Sequence, residues 1–202
     1  MLPNHQLLTQ GCLLYAQSKY VCLQRMSKDY VILVDEFDNE LGTAEKLQAH
    51  QEAKLHRAIS VFVFNHQKEW LLQKRATNKY HSPGLWSNTC CSHPRPGEDV
   101  ARAATRRLME EMGINCPLKF SFSFTYKAAL ENNLTEHEFD YVFIGFTDNF
   151  PKPDPKEVSE YLYISTEEIE QRMKQNKEQF TPWFKLIFER VKTELNNIKQ
   201  TI

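Results

Sequence analysis

No run of about eighteen apolar residues occurs in this 202-residue chain, so no segment reads as a membrane-spanning helix. The N-terminus, MLPNHQLLTQGCLLYAQ, lacks a basic start and has only a broken apolar stretch, which argues against a signal peptide. The C-terminus, IKQTI, carries neither a prenylation nor a peroxisomal address. A surplus of charge is missing too: 25 Lys and Arg balance 26 Asp and Glu for a formal net charge of −1. That balance implies no nucleic-acid partner and no polybasic membrane surface. The expectation is a cytoplasmic protein, in which thiols stay reduced. Cysteine is scarce, with Cys12, Cys22, Cys90, Cys91 and Cys116 odd in number and irregular in spacing. No C-x2-C pair exists, so neither a disulfide framework nor a zinc-finger pattern fits. There is no internal repeat. The length suits one large domain that buries a core without staples.

What is present is mostly strand. YVILVD (30–35), AISVFVFN (58–65), EWLLQKR (69–75), KFSFSFTYKA (119–128), FDYVFIGF (139–146) and YLYI (161–164) are rich in β-branched or aromatic residues. NHQK (65–68) reads as a hairpin, DEFDNELG (35–42) as a turn and NFPKPDPKE (149–157) as a proline-rich loop. EDVARAATRRLMEEMG (98–113) has no interior Pro or Gly and ends on a glycine, the signature of a helix. A second helix starts with Ser165 or Thr166 as its cap, and a third at Thr181 with Pro182 in its first turn. The predicted class is α+β, a mixed β-sheet with packed helices. Residues 1–29 read as an N-terminal extension and 30–202 as the domain.

The chemistry gathers in SNTCCSHPRPGE (87–98). On an extended backbone alternate side chains share a face, so Cys91 and His93 look one way and Cys90 and Ser92 the other. Cys90 is then a small buried hydrophobe. LTEHEFDYV (134–142) repeats the pattern: Glu136 and Glu138 share a face and His137 turns away. Two carboxylates at the head of an apolar strand are costly to bury unless they bind a cation or share a proton. LQAHQEAKLHRA adds His50 and His56 on either side of a short polar loop. Three imidazoles and two carboxylates suit zinc, manganese or iron, and a thiolate ligand would favour zinc.

On the 98–113 helix, positions 107, 110 and 111 form one stripe. The frame Ser92, Glu98, Arg106, Arg107, Leu108, Glu110, Glu111, Gly113, Ile114 resembles the Nudix hydrolase signature G-x5-E-x7-R-E-U-x-E-E-x-G-U. Serine stands for the first glycine and Arg107 for a metal-binding glutamate. A cation there weakens a multi-metal cluster that would cut a diphosphate, yet leaves Glu111 able to hold one Mg2+. Arg107 itself suits a diphosphate. Lys46, Arg75 and Lys79 add positive charge; Lys74 faces away by alternation.

From GTAEKLQAH (42–50) through LHRAISVFVFN, LLQKRA, PGLWSNTCCSHPRPGE, AATRRLMEEMGI and EHEFDYVF to TPWFK (181–185), the chain resembles the type 1 isopentenyl-diphosphate Δ-isomerases, which have a Nudix-like fold. Residues 1–29 lie outside the likeness. The resemblance implies conversion of isopentenyl to dimethylallyl diphosphate by protonation at C4 and deprotonation at C2. It implies Cys91 and Glu138 as the proton-transfer pair, without fixing which gives and which takes. It implies His50, His56, His93, Glu136 and Glu138 as ligands of one divalent ion (Mn2+, Mg2+ or Zn2+). A second ion, Mg2+ carried by the diphosphate, falls to Glu111 and the main-chain oxygen of Cys91. Lys46, Arg75, Lys79 and Arg107 become substrate-anion contacts. Trp183 becomes an aromatic face for a carbocation, Tyr126 the hydrogen-bond partner of the catalytic glutamate, and the terminal helix part of a lid. Trp86 is left as core or pocket wall. The implied partner is a prenyl diphosphate, with no nucleic acid, no membrane and a monomeric state, a dimer being the alternative. Two rivals stand beside this: an ordinary Nudix diphosphate hydrolase, and a non-catalytic metal-binding or interaction module. The flavin-dependent isomerase of the same reaction is set aside, because no glycine-rich flavin loop is visible.

Overall fold

A computed structural model describes residues 30–199; the N-terminal extension read at 1–29 lies outside the described residues. The strands are β1 (Tyr30–Val34), β2 (Glu40–Glu45), β3 (His56–Phe64), β4 (Trp70–Arg75), β5 (Trp86–Ser87), β6 (Cys90–Ser92), β7 (Leu118–Ala129), β8 (Thr135–Phe146) and β9 (Val158–Ile164). The helices are α1 (Lys46–Gln51), α2 (Val100–Met112), α3 (Thr166–Asn176) and α4 (Pro182–Lys199). No helix among the described residues is long and apolar enough to cross a membrane.

The organising strand is β3, HRAISVFVF, a nearly continuous apolar run of the kind found where a strand is covered on both faces. One edge pairs in parallel with β8, from His56↔Glu138 to Phe64↔Phe146. The other edge is shared: β1 meets it at His56, β6 at Ile59–Val61 and β4 at Phe64. The strands that carry Cys91 and Glu138 therefore flank β3 on opposite edges. β7 pairs antiparallel with β8, and β4 with β9 and β5. The mixed sheet with packed helices agrees with the expected α+β class.

Alternation on β3 divides the core. Ile59, Val61 and Val63 pack with Cys90, Ala103, Ala104, Leu108 and Met112 beneath α2. Phe62 and Phe64 pack with Trp70, Trp86 and the inner face of α4, which buries Trp183, Phe184, Ile187, Phe188, Val191 and Leu195 at helical spacing. Trp86 thus belongs to the core. Emptying one of these aromatic positions, such as Phe184→Ala, costs about 3–5 kcal/mol.

Helix α2 is capped as its sequence requires. Asp99 accepts from the Arg102 amide at 3.0 Å, and Gly113 ends the helix in the left-handed region at φ 63°. A side chain at Gly113 would also meet the Lys152 carbonyl oxygen at 2.5 Å. That contact arises because the proline-rich loop closes the helix end: Lys152 and Asp154 amides donate to the Met112 and Glu111 carbonyls at 2.8 and 2.9 Å. Ser165 caps α3 by accepting from the Glu168 amide. At α4 the Thr181 carbonyl accepts from the Lys185 amide at 3.2 Å, with Pro182 in the first turn.

Several boundaries differ from the reading above. The turn placed at 35–42 is confined to Asp35–Asn39, where the Asp35 carboxylate accepts from the Phe37 and Asn39 amides at 2.9 Å; the rest is edge strand β2. The polar loop before His56 holds the six-residue helix α1, capped by Glu45. Strand β8 begins at Thr135 and β9 at Val158, both earlier than their apolar runs, because hairpin and edge pairing carry polar residues into the ladder.

Candidate active site

His50 lies in the last turn of α1, His56 opens β3, His93 follows β6, and Glu136 and Glu138 alternate at the head of β8. Five donor atoms from these side chains lie within 4.8 Å of one another. Local structure aims them. His50 Nδ1 sits 2.6 Å from the Lys46 carbonyl oxygen and His56 Nδ1 2.8 Å from that of Lys54, so each ring places its proton on Nδ1 and turns a Nε2 lone pair inward. His137 turns away, its Nδ1 2.8 Å from the Ala53 carbonyl, as strand alternation requires. His56 and His93 face each other through their Nε2 atoms at 3.2 Å, and His93 Nε2 lies 2.9 Å from Glu138 Oε1. His50 Nε2 and Glu136 Oε2 are 3.0 Å apart, yet neither makes a hydrogen bond. Lone pairs converging on buried, unpartnered polar atoms are unfavourable unless a positive charge joins them. Three imidazoles and two carboxylates therefore fit a divalent cation in both donor type and direction.

Electrostatics follow from burial. Desolvation holds His93 well below the usual imidazole range, and the neighbouring His56 and His50 push the same way. Burial also opposes charge on His50, but the Glu136 carboxylate beside it outweighs that and raises its pKa. For Glu138 burial pushes upward; the His56 contact, and after it the Tyr126 hydroxyl, keep the carboxyl below its ordinary value. Tyr126 donates to Glu138 Oε2 at 2.6 Å.

The cluster forms one part of a cavity of about 290 Å3. Cys91, His93, Glu136, Glu138, Tyr126 and Trp183 line it. Cys90 is fully buried beneath α2, whereas Cys91 reaches the cavity, so strand alternation separates the two thiols as the spacing implies. Ser92 also lines the cavity, which strict alternation does not give, because β6 ends there. Burial drives the Cys91 thiol up to about 12, with Arg75 offsetting part of the effect. Near neutrality Cys91 thus carries its proton. Ser87 Oγ and Arg75 Nη1 approach its sulfur at 3.9 and 4.0 Å.

Trp183 sits in the first turn of α4 and is fixed by its indole N–H, which donates to Ser87 Oγ at 2.9 Å. Ser87 also meets Thr181 Oγ1 at 3.1 Å, and the Thr181 amide donates to the Trp86 carbonyl at 2.9 Å. These bonds seat the start of α4 on β5.

The cations group beside this wall. Lys74 and Arg75 point apart, as strand alternation implies: Lys74 pairs outward with Glu160 at 2.8 Å, while Arg75 is buried with its guanidinium 5.3 Å from the Trp183 ring. Lys46 lies 5.2 Å over the Tyr80 ring. Arg107 donates to Glu110 at 2.7 Å and Glu111 at 2.5 Å, and lies 3.4 Å from Glu157. Lys79 pairs with the other oxygen of Glu157. Gln73 donates to Glu111 at 3.1 Å. Burial opposes charge on Arg107, but its carboxylate neighbours, Glu111 above all, raise its pKa. The residues that the resemblance implies for proton transfer, metal and diphosphate all line the cavity except His50 and His56, which reach it through the cluster; Glu110 of the α2 stripe does not.

Sequence reasoning missed Ser87, Gln73, His81, Glu157 and Thr181 as site residues. Ser87 lay inside the quoted motif and Glu157 at the end of the proline-rich loop, but nothing in either pattern announces a pairing with α4 or α2. His81 follows the basic KRATNKY stretch as a lone histidine before a turn.

The chain matches the NUDIX domain family over residues 54–184. It is 55% identical over 161 residues to "Isopentenyl-diphosphate Delta-isomerase" of Pectobacterium atrosepticum, covering 80% of this chain and 90% of the relative. "Isopentenyl-diphosphate Delta-isomerase 2" of Aromatoleum aromaticum is 49% identical over 164 residues, covering 81% and 87%. Among solved structures, DR0079 of Deinococcus radiodurans superposes with a TM-score of 0.62 at 19% identity, over 73% of this chain and 90% of its own. That last likeness concerns the fold alone.

Proposed function

The chain belongs to the isopentenyl-diphosphate Δ-isomerase family on the Nudix fold, and we infer that it interconverts isopentenyl and dimethylallyl diphosphate by moving a proton onto one end of an allylic unit and off the other. The observation that carries this reading is a single cavity lined by a protonated thiol, a carboxylate held by tyrosine and histidine, an indole, and a set of cations. A hydrolase of diphosphates needs metal-bound water and carboxylates along α2; here Arg107 occupies the first position of that stripe.

Two groups of opposite protonation suit a proton relay. Cys91 holds its proton because burial disfavours the thiolate. Burial works against the charge on Glu138, but the His56 contact and the Tyr126 hydroxyl keep it ionised. The pair works in general acid–base catalysis, one group protonating the double bond and the other removing the proton. Trp183 presents an aromatic face that stabilises a tertiary carbocation without attacking it. Ser87 keeps the indole seated, and the buried start of α4 helps exclude the water that would quench the cation. Arg75, Lys46, Lys79 and Arg107 bind the diphosphate end.

The ligands of a divalent ion of the Mn2+, Mg2+ or Zn2+ type are His50, His56, His93, Glu136 and Glu138. When bound, such an ion supplies positive charge beside Glu138. Glu111 and the Cys91 main-chain oxygen would hold Mg2+ arriving with the substrate. The isomerase domain spans residues 30–202 and acts as a monomer on its small-molecule substrate, without a nucleic-acid or membrane partner.

The test is incubation of the purified protein with isopentenyl diphosphate and Mg2+, assaying organic product and phosphate together. Dimethylallyl diphosphate without released phosphate supports the reading. Phosphate release without the isomer overturns it in favour of hydrolysis.

A further inference from the structure

His81 is a buried histidine, 5% exposed, that stands outside the five-residue metal cluster and has no part in the mechanism above. It lines the same cavity. Its ring stacks 5.9 Å from His50, meets the Trp183 indole edge to face at 5.9 Å, and touches Tyr80 at 4.5 Å. Its Nε2 lies 3.5 Å from Glu136 Oε1, and its main-chain carbonyl accepts from Arg75 Nη2 at 3.1 Å. Its Nδ1 is buried without a hydrogen-bond partner. One residue thus touches a metal carboxylate, the aromatic wall and an anion-binding arginine.

We propose that His81 is a positioning residue that fixes the Glu136 carboxylate through Nε2–H and braces the Trp183 indole with its ring. The tautomer follows from the hydrogen-bond arithmetic. A neutral imidazole carries one N–H. A proton on Nδ1 would leave a buried donor with nothing to accept it and would turn a lone pair on Nε2 toward a carboxylate. A proton on Nε2 gives that donor an anionic acceptor and leaves only a lone pair unmatched, which is the smaller penalty. Closing the 3.5 Å separation by about 0.5 Å makes an ordinary N–H···O bond.

The consequence is a division of labour within one ring. Glu136 Oε1 faces His81 and Oε2 faces His50, so a donor on Oε1 leaves Oε2 directed into the cluster. Partners of this kind orient metal ligands, and their loss weakens metal binding. On its other side the ring limits how far Trp183 can tilt away from the cavity, with the indole N–H on Ser87 as the second anchor. Metal geometry and the aromatic wall are coupled through His81.

The proposal rests on the isomerase reading, and two variants separate its parts from that reading. His81→Phe keeps an aromatic ring against Trp183 but removes the donor to Glu136. His81→Gln places a side-chain N–H near the position of Nε2 but removes the ring. Titration with Mn2+ alone, read by competition with a chelating dye, measures the metal site without reference to turnover. His81→Phe is expected to bind Mn2+ about 10- to 100-fold more weakly, while His81→Gln binds near the wild-type level and, with metal saturating, loses kcat more than it changes KM. Thermal melting of both variants identifies the folded fraction to which each value is normalised. Wild-type Mn2+ affinity in folded His81→Phe overturns the proposal, as does equal loss of affinity in both variants, which would make the ring simple packing. Wild-type turnover of isopentenyl diphosphate tests the isomerase reading separately, and its absence leaves the Mn2+ comparison intact.

Discussion

The Tyr126 hydroxyl donates to Glu138 Oε2 at 2.6 Å, while His93 Nε2 lies 2.9 Å from the other oxygen of the same carboxylate. The two contacts come from opposite sides of β8. Tyr126 stands directly across the hairpin in register with Glu138, and His93 follows β6 on the far side of β3. Glu138 is thereby held in one orientation at the cavity wall.

Removing the tyrosine donor should therefore change both rate and proton affinity. A hydrogen bond to a charged group is worth about 1.5–3 kcal/mol, so Tyr126→Phe should lower kcat about ten- to a hundredfold. Tyr126 lowers the Glu138 pKa, so its loss raises it. The limb of the pH–rate profile governed by Glu138 should move to higher pH, and an unchanged profile would separate the tyrosine from Glu138 function.

The adjacent thiols should behave differently. Cys91 faces the cavity and Cys90 is sealed under α2. Cys91→Ala should abolish isomerisation while the protein stays folded. Cys90→Ala should keep activity and lower the melting temperature. Equal kinetic loss at equal folded fraction would contradict the assignment.

The His/Glu cluster predicts a tightly held metal. Protein purified without added metal should carry one divalent ion per chain by elemental analysis, and His56→Ala should lose it. Chelation should abolish turnover in the wild type. Full occupancy and full activity in His56→Ala would remove the site.

Arg107 touches Glu110, Glu111 and Glu157 from the first position of the α2 stripe. Losing one charge-assisted contact to diphosphate, about 1.5–3 kcal/mol, should raise KM about ten- to a hundredfold in Arg107→Ala. Arg107→Glu adds a further carboxylate to that group and should give a dead isomerase that releases no phosphate. Wild-type kinetics in Arg107→Ala would make the arginine a packing residue of the helix.

Much of this site was legible because its residues lie on regular elements whose periodicity is visible. Alternation on β6 separates Cys91 from Cys90, and alternation on β8 separates Glu136 and Glu138 from His137. The α2 stripe follows from helical spacing. What stayed hidden depends on contacts across the chain. Glu157 matters because the proline-rich loop closes α2 and brings it between Lys79 and Arg107. Ser87 matters because α4 lands on β5. His81 follows the same logic, since a histidine before a turn looks ordinary until Glu136 and Trp183 arrive beside it. Elements escaped for local reasons: α1 is six residues long with Glu45 as its cap, outside the usual Ser, Thr, Asp and Asn, and β2 is a polar edge strand containing Gly42.

Proton transfer to and from carbon is the central claim, and it leaves an isotopic record. Isopentenyl diphosphate incubated with the protein and Mg2+ in D2O can be followed by NMR. The account predicts dimethylallyl diphosphate with deuterium in the newly formed methyl group, and loss of this product in Cys91→Ala. Dimethylallyl diphosphate free of deuterium, or phosphate released with the carbon skeleton unchanged, would contradict it.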